Sequence, residues 1–154
     1  MPKPKSFDEV YDRCVADGHL NRLETLNSDK PLQLLRNADS FSESLAKITQ
    51  GLPKESGQWM TVFTLNYNIL HLYAEALLLF DKVSSLNHIC LFSALCVKHE
   101  ELDLNWDFFQ KIRTMRNGVH YYGKMVTYQD WKNVEIEFKL TLSLLRKEVE
   151  KRLT

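Results

Sequence analysis

Apolar positions in this chain recur at steps of three and four residues almost from end to end, the period of helices with one buried face. The last stretch is the clearest. Trp131, Val134, Phe138, Leu142, Leu145, Val149 and Leu153 stack along one side, while Glu135 with Lys139 and Glu148 with Arg152 stand four apart in the stabilising order. Thr127-Tyr128-Gln129-Asp130 resembles a capping box with Asp in place of Glu. It predicts the start of this helix, which runs nearly to Thr154. Ser6-Phe7-Asp8-Glu9 is the same kind of signal and opens a short helix ending near Gly18. A second helix begins around Pro31, carries Leu32, Leu35, Phe41, Leu45 and Ile48, and stops at Gly51-Leu52-Pro53. A third spans about Gln58 to Lys82. A fourth, from about Leu86 to His99, is apolar on most sides and is expected to be the most buried. The fifth covers about Leu104 to Tyr122 and ends at Gly123. No stretch sustains a period of two, so no sheet is expected. The expected fold class is all-α: an up-and-down bundle of four to five main helices plus a short N-terminal helix.

Length and composition narrow the function. A chain of 154 residues suits one domain; here 6–154 is read as a single helical domain and 1–5, with no apolar signal core, as a disordered tail. Hydrophobic residues at 44% and charged residues at 26% are globular values. Lys+Arg and Asp+Glu both number 20, so the net charge is zero and any nucleic-acid site must be a local patch. The longest apolar runs, Ile69–Phe80 and Ile89–Val97, fall short of the roughly 20 residues a membrane span needs. Cys14, Cys90 and Cys96 are odd in number with no CxxC spacing. Neither a disulfide framework nor a thiolate zinc site is expected, and a reducing cytoplasm is the expected location. Cys90 and Cys96 read as small buried hydrophobes.

One segment concentrates candidate chemistry. From Phe108 to Gln129 there is no carboxylate, while Lys111, Arg113, Arg116 and Lys124 all occur. On a helix, Phe108, Ile112, Met115, Val119 and Tyr122 should face the core, leaving Arg113, Arg116, Asn117, His120 and Lys124 on a flanking side. Guanidinium groups pair with two phosphate oxygens at once, and histidine exchanges a proton near neutrality. Together they suit phosphodiester chemistry. A solvated basic face is the plainer alternative. On the third helix, Thr61, Thr64, Asn68, His71 and Glu75 make a polar line that would suit hydrogen bonds to Arg113 or Arg116 if buried. His71 and Glu75 also have the spacing of two metal ligands, but no Glu-x-x-His occurs, and no metal site is assigned. His19, His88 and His99 are scattered and read as surface or satisfied core residues. Phosphate-loop, serine-hydrolase and zinc-protease motifs are absent.

Arg116-Asn117 followed by His120-Tyr121-Tyr122, on the penultimate helix of an all-helical chain, resembles the HEPN superfamily (higher eukaryotes and prokaryotes nucleotide-binding) over about Pro31 to the C-terminus. The family signature is an Arg, usually followed by a polar residue, then four to six residues and a His. Arg113 has the spacing to His120; Arg116-Asn117 has the dipeptide, with three intervening residues. His120-Tyr121-Tyr122 looks like the His-x-Tyr extension of HEPN toxins, in which the Tyr (here Tyr122) can be modified by a partner nucleotidyltransferase. The resemblance implies a homodimer whose paired Arg/His helices form a cleft. It also implies metal-independent RNA cleavage of a toxin or phage-defence type, with no cofactor. Arg113, Arg116, Asn117 and His120 would be catalytic, and Tyr121 or Tyr128 would stack on a base. Lys111, Tyr122, Lys124, Asn68, His71 and Glu75 would support binding. The alternative it implies is a non-catalytic module that binds RNA, a nucleotide or a protein such as a minimal nucleotidyltransferase.

Overall fold

Side-chain caps decide where most helices of this molecule begin. The computed structural model describes residues 6–154, so the expected tail at 1–5 lies outside the described residues. Ser6 accepts a hydrogen bond from the Glu9 N–H and opens α1, Phe7–Ala16. Helix α2, Asp29–Thr49, starts two residues before Pro31, because the Asn27 side chain accepts from the Asp29 N–H at 3.1 Å. Helix α3 is Trp59–Phe80, and the Trp59 indole donates to the Pro53 carbonyl at 2.8 Å, pinning the preceding loop. Asn87 caps α4, His88–Lys98, by accepting from the Cys90 N–H at 2.9 Å. Asn105 caps α5, Trp106–Tyr122. Before α6, Tyr128–Leu153, the Thr127/Asp130 capping box closes in both directions, at 3.2 and 2.9 Å. Each such cap satisfies an amide that the helix cannot bond itself.

The architecture is an all-α bundle, as the periodicity predicts. Helix α3 is its centre, packing chiefly on α2 and α6, while α1 lies against α4. Trp131, Val134, Phe138, Leu145 and Val149 of α6 are buried, and Leu142 and Leu153 are half-buried. Phe138 is fully enclosed, with its ring against Phe63, Phe108 and Trp131; truncating such a residue to Ala costs about 3–5 kcal/mol. In α4 every residue from Cys90 to Cys96 is buried.

Three expectations need correction. A short antiparallel ribbon exists: β1, Leu20–Arg22, pairs with β2, Val83–Ser85, in the register Leu20↔Ser85, Asn21↔Ser84, Arg22↔Val83. Three residues per strand are too few to show an alternation. Second, Cys14 and Cys90 are joined in a disulfide across 76 residues. The odd cysteine count misled because the third thiol, Cys96, is simply buried in the core, where burial pushes its pKa up to about 12. Third, Tyr122 is 75% exposed rather than core-facing. Helix α5 is already ending there, with Gly123 in the left-handed region (φ 63°) and the Lys124 N–H returning to the Gly118 carbonyl at 3.0 Å. Among the described residues, no helix is long and apolar enough to cross a membrane.

Ribbon and disulfide act on the same place. The Leu86 N–H donates to the His19 carbonyl at 3.0 Å, the His19 and Asn87 side chains meet at 3.2 Å, and Cys90 is bonded to α1. The first turn of α4 is thereby clamped to the end of α1.

Candidate functional site

The first turn of α4 faces one side of α5, and a cleft of about 360 Å³ lies between them. From α5 it is lined by Arg113, Arg116, Asn117 and Tyr121; from the other wall by Asn87, His88 and their neighbours. The helical spacing of Arg113, Arg116 and Asn117 brings them to this one face. The Arg116 guanidinium carbon sits 5.9 Å from the centre of the Tyr67 ring and 6.0 Å from that of Tyr121. Its Nη1 is 3.4 Å from the Asn117 side-chain oxygen. Arg113 donates from Nη2 to Gln110 at 3.2 Å, while its buried Nε has no partner among the described residues. Among the described residues, no carboxylate lies within ion-pair distance of either arginine. Two guanidinium charges held by neutral groups at the edge of the protein make a site for an anion.

His88 is the residue that sequence reasoning placed elsewhere. As the first residue of α4 it lines the cleft, and its Nδ1 is 2.8 Å from the Tyr67 hydroxyl. Its ring stacks on Tyr67 at 5.6 Å and meets that of His71 at 4.5 Å. Burial, then the neighbouring His71 and the charges of Arg116, Arg113 and His120, pull its pKa down to about 4. His71 is lowered as well, by burial, against an upward pull from Glu75 and with a further push from Arg116. Burial raises the Tyr67 phenol, partly opposed by Arg116 and Arg113. Near neutral pH the cluster therefore holds uncharged imidazoles and a protonated phenol beside two permanent cations. The one sequence signal for His88 was a polar residue opening an otherwise apolar helix behind an Asn cap.

Other predicted residues disperse. His120 is exposed at the end of α5 and is not among the residues lining the cleft, whereas its exposed neighbour Tyr121 is. Lys111 and Lys124 line a separate groove with Met115, Gly118 and Asn133. There the Lys124 stem crosses Gly118 so closely that a Cβ would meet it at 3.2 Å. Asn68 and Thr61 are exposed, and the arginines make no hydrogen bond to the polar line of α3 among the described residues. His71 and Glu75 instead line a third cleft that adjoins the first. No group of His, Cys, Asp and Glu among the described residues has the arrangement of a metal site. The chain matches no protein-family model, no curated protein and no solved structure.

Proposed function

We propose that this protein is a HEPN-like endoribonuclease that holds the sugar–phosphate backbone of RNA on Arg113 and Arg116. The supporting observation is the pair of carboxylate-free guanidinium groups in one cleft with Asn117 and the uncharged His88. An RNA phosphate would place its two non-bridging oxygens against these donors, where the charge that develops during in-line attack is stabilised. The 2′-hydroxyl attacks the neighbouring phosphorus, the P–O5′ bond breaks, and a 2′,3′-cyclic phosphate and a 5′-hydroxyl result. His120, on the same helix outside the cleft lining, would exchange one proton with the reaction and water the other, so that the 2′-hydroxyl is deprotonated and the leaving 5′-oxygen protonated; Asn117 orients the phosphate, and Tyr121 offers a face for a base. A homodimer would set two such clefts side by side and double the local positive charge of a neutral chain.

The test is cleavage of single-stranded RNA in EDTA. Wild-type protein should yield cyclic-phosphate ends, with the rate falling about 10²-fold or more for Arg116→Ala and for His120→Ala while the urea midpoint stays put. Equal rates in all three proteins would overturn the assignment.

A second reading follows from the position of His120 outside the cleft lining: a module that binds RNA or a nucleotide, or partners a minimal nucleotidyltransferase, without turnover. It predicts salt-sensitive binding lost in Arg116→Ala, with no cleavage products.

A further inference from the structure

His88 belongs to two clefts at once. Beyond it, between α3, the ribbon and the first turn of α4, lies a pocket of about 260 Å³. Leu86, Asn87 and His88 line both spaces, so the two adjoin. This second pocket is lined by His71 and Glu75 from α3, Lys30 from α2, and Ser84 and Ser85 from β2. The Glu75 carboxylate lies 4.0 Å from the Lys30 ammonium and 3.7 Å from His71 Nδ1. Both separations exceed a hydrogen bond. His71, lowered by burial, is no cation to hold the carboxylate. Both carboxylate oxygens thus keep their acceptor capacity, with an ammonium donor beside them.

We propose that this pocket is a base-reading subsite selective for guanine, occupied by the nucleotide whose phosphate lies on Arg113 and Arg116. The proposal rests on the reading of the arginine cleft as a nucleic-acid phosphate site. Its chemistry is the match of edges. Guanine presents an acceptor, O6, next to two adjacent donors, N1–H and N2–H₂. Lys30 followed by the two oxygens of Glu75 presents a donor next to two acceptors. Adenine turns a lone pair at N1 toward the carboxylate, cytosine does so at N3, and uracil flanks its one N–H with two carbonyl oxygens. Each of these leaves a carboxylate oxygen facing another acceptor, which costs more than a missing contact. The pocket has room for one nucleobase, and the imidazoles of His71 and His88 are part of its lining.

Equilibrium binding of GMP, IMP and AMP to the intact protein tests this. Wild type should bind GMP at least about tenfold tighter than AMP, with IMP, which lacks the 2-amino group, between them. Glu75→Gln should bring the GMP/AMP ratio close to one with an unchanged urea midpoint, and Lys30→Met should narrow it. Equal binding of GMP and AMP to wild type, both lost in Arg116→Ala, would overturn the guanine subsite and leave the phosphate reading standing. Failure of every nucleotide to bind would overturn both. A preference that survives in Glu75→Gln would also overturn the subsite.

Discussion

Helix α4 carries a histidine at each end, and the two ends do opposite things with charge. At the C-terminal end, His99 is 1% exposed, with Nε2 at 2.7 Å from Asp81 and Nδ1 at 3.3 Å from Glu101. The Asp81 hydrogen bond raises its pKa against the opposing effect of burial; the Asp81 charge and Glu101 raise it further, and Arg152 opposes them. The carbonyl end of the helix favours the same cation. At the N-terminal end, His88 meets a phenol, a second imidazole and two guanidinium groups, and it is held neutral. Charge at the His99 end is consumed inside the fold. Charge at the His88 end is left over, and surplus charge supported by neutral neighbours is what an incoming anion can use.

Reducing the Cys14–Cys90 bond should have the largest effect. Opening a link across 76 residues should lower stability by about 2–4 kcal/mol, read as a drop in the urea midpoint on adding a thiol and reproduced by Cys14→Ser/Cys90→Ser. Amide exchange should quicken in the first turn of α4 and stay slow at its last turn. Equal quickening at both ends would erase the contrast. Next, His99→Leu should cost about 2 kcal/mol, because it strips the hydrogen-bond partner from a partly buried Asp81, with RNA or nucleotide affinity unchanged. An affinity loss matching that of Arg116→Ala would show that the two ends are not separate. The smallest effects are in pH dependence. His99 contributes stability that is fully present below its unfolded pKa near 6.5 and is lost as pH rises through its higher folded value. His88 works the other way: the unfolded chain takes up its proton first, so stability falls as pH drops from about 6.5 towards its folded value of about 4. Urea midpoints across this range should lose the alkaline slope in His99→Leu and part of the acid slope in His88→Gln, His71 supplying the remainder.

Local signals made the helices readable and nonlocal pairing hid the rest. Ser6 and Thr127 cap their helices through hydrogen bonds to residues three positions on, and the α6 stripe is set by turns of one helix. Such information lies within a few residues of chain. Residues 20–22 and 83–85, by contrast, become strands only by meeting each other, and Cys14 and Cys90 show nothing in their spacing. The same division runs through the site. Arg113, Arg116 and Asn117 share a face because α5 is a helix, and Tyr121 joins them. His88, Lys30 and the His71–Glu75 pair come to the two clefts from other helices, with buried Tyr67 bonded to His88 from α3, through packing that no periodicity encodes. Ideal helical projection turns Tyr122 toward the core, but α5 has run past the core by its final turn and the side chain is exposed.

The Cys14–Cys90 bond also changes what chain continuity means here. Residues 14–90 form a closed covalent ring that contains the whole of α2 and α3. A single proteolytic cut in the exposed link around Pro53–Glu55 turns that ring into two arms still tethered at the sulfurs. The nicked molecule keeps one mass and one body until the tether itself is broken.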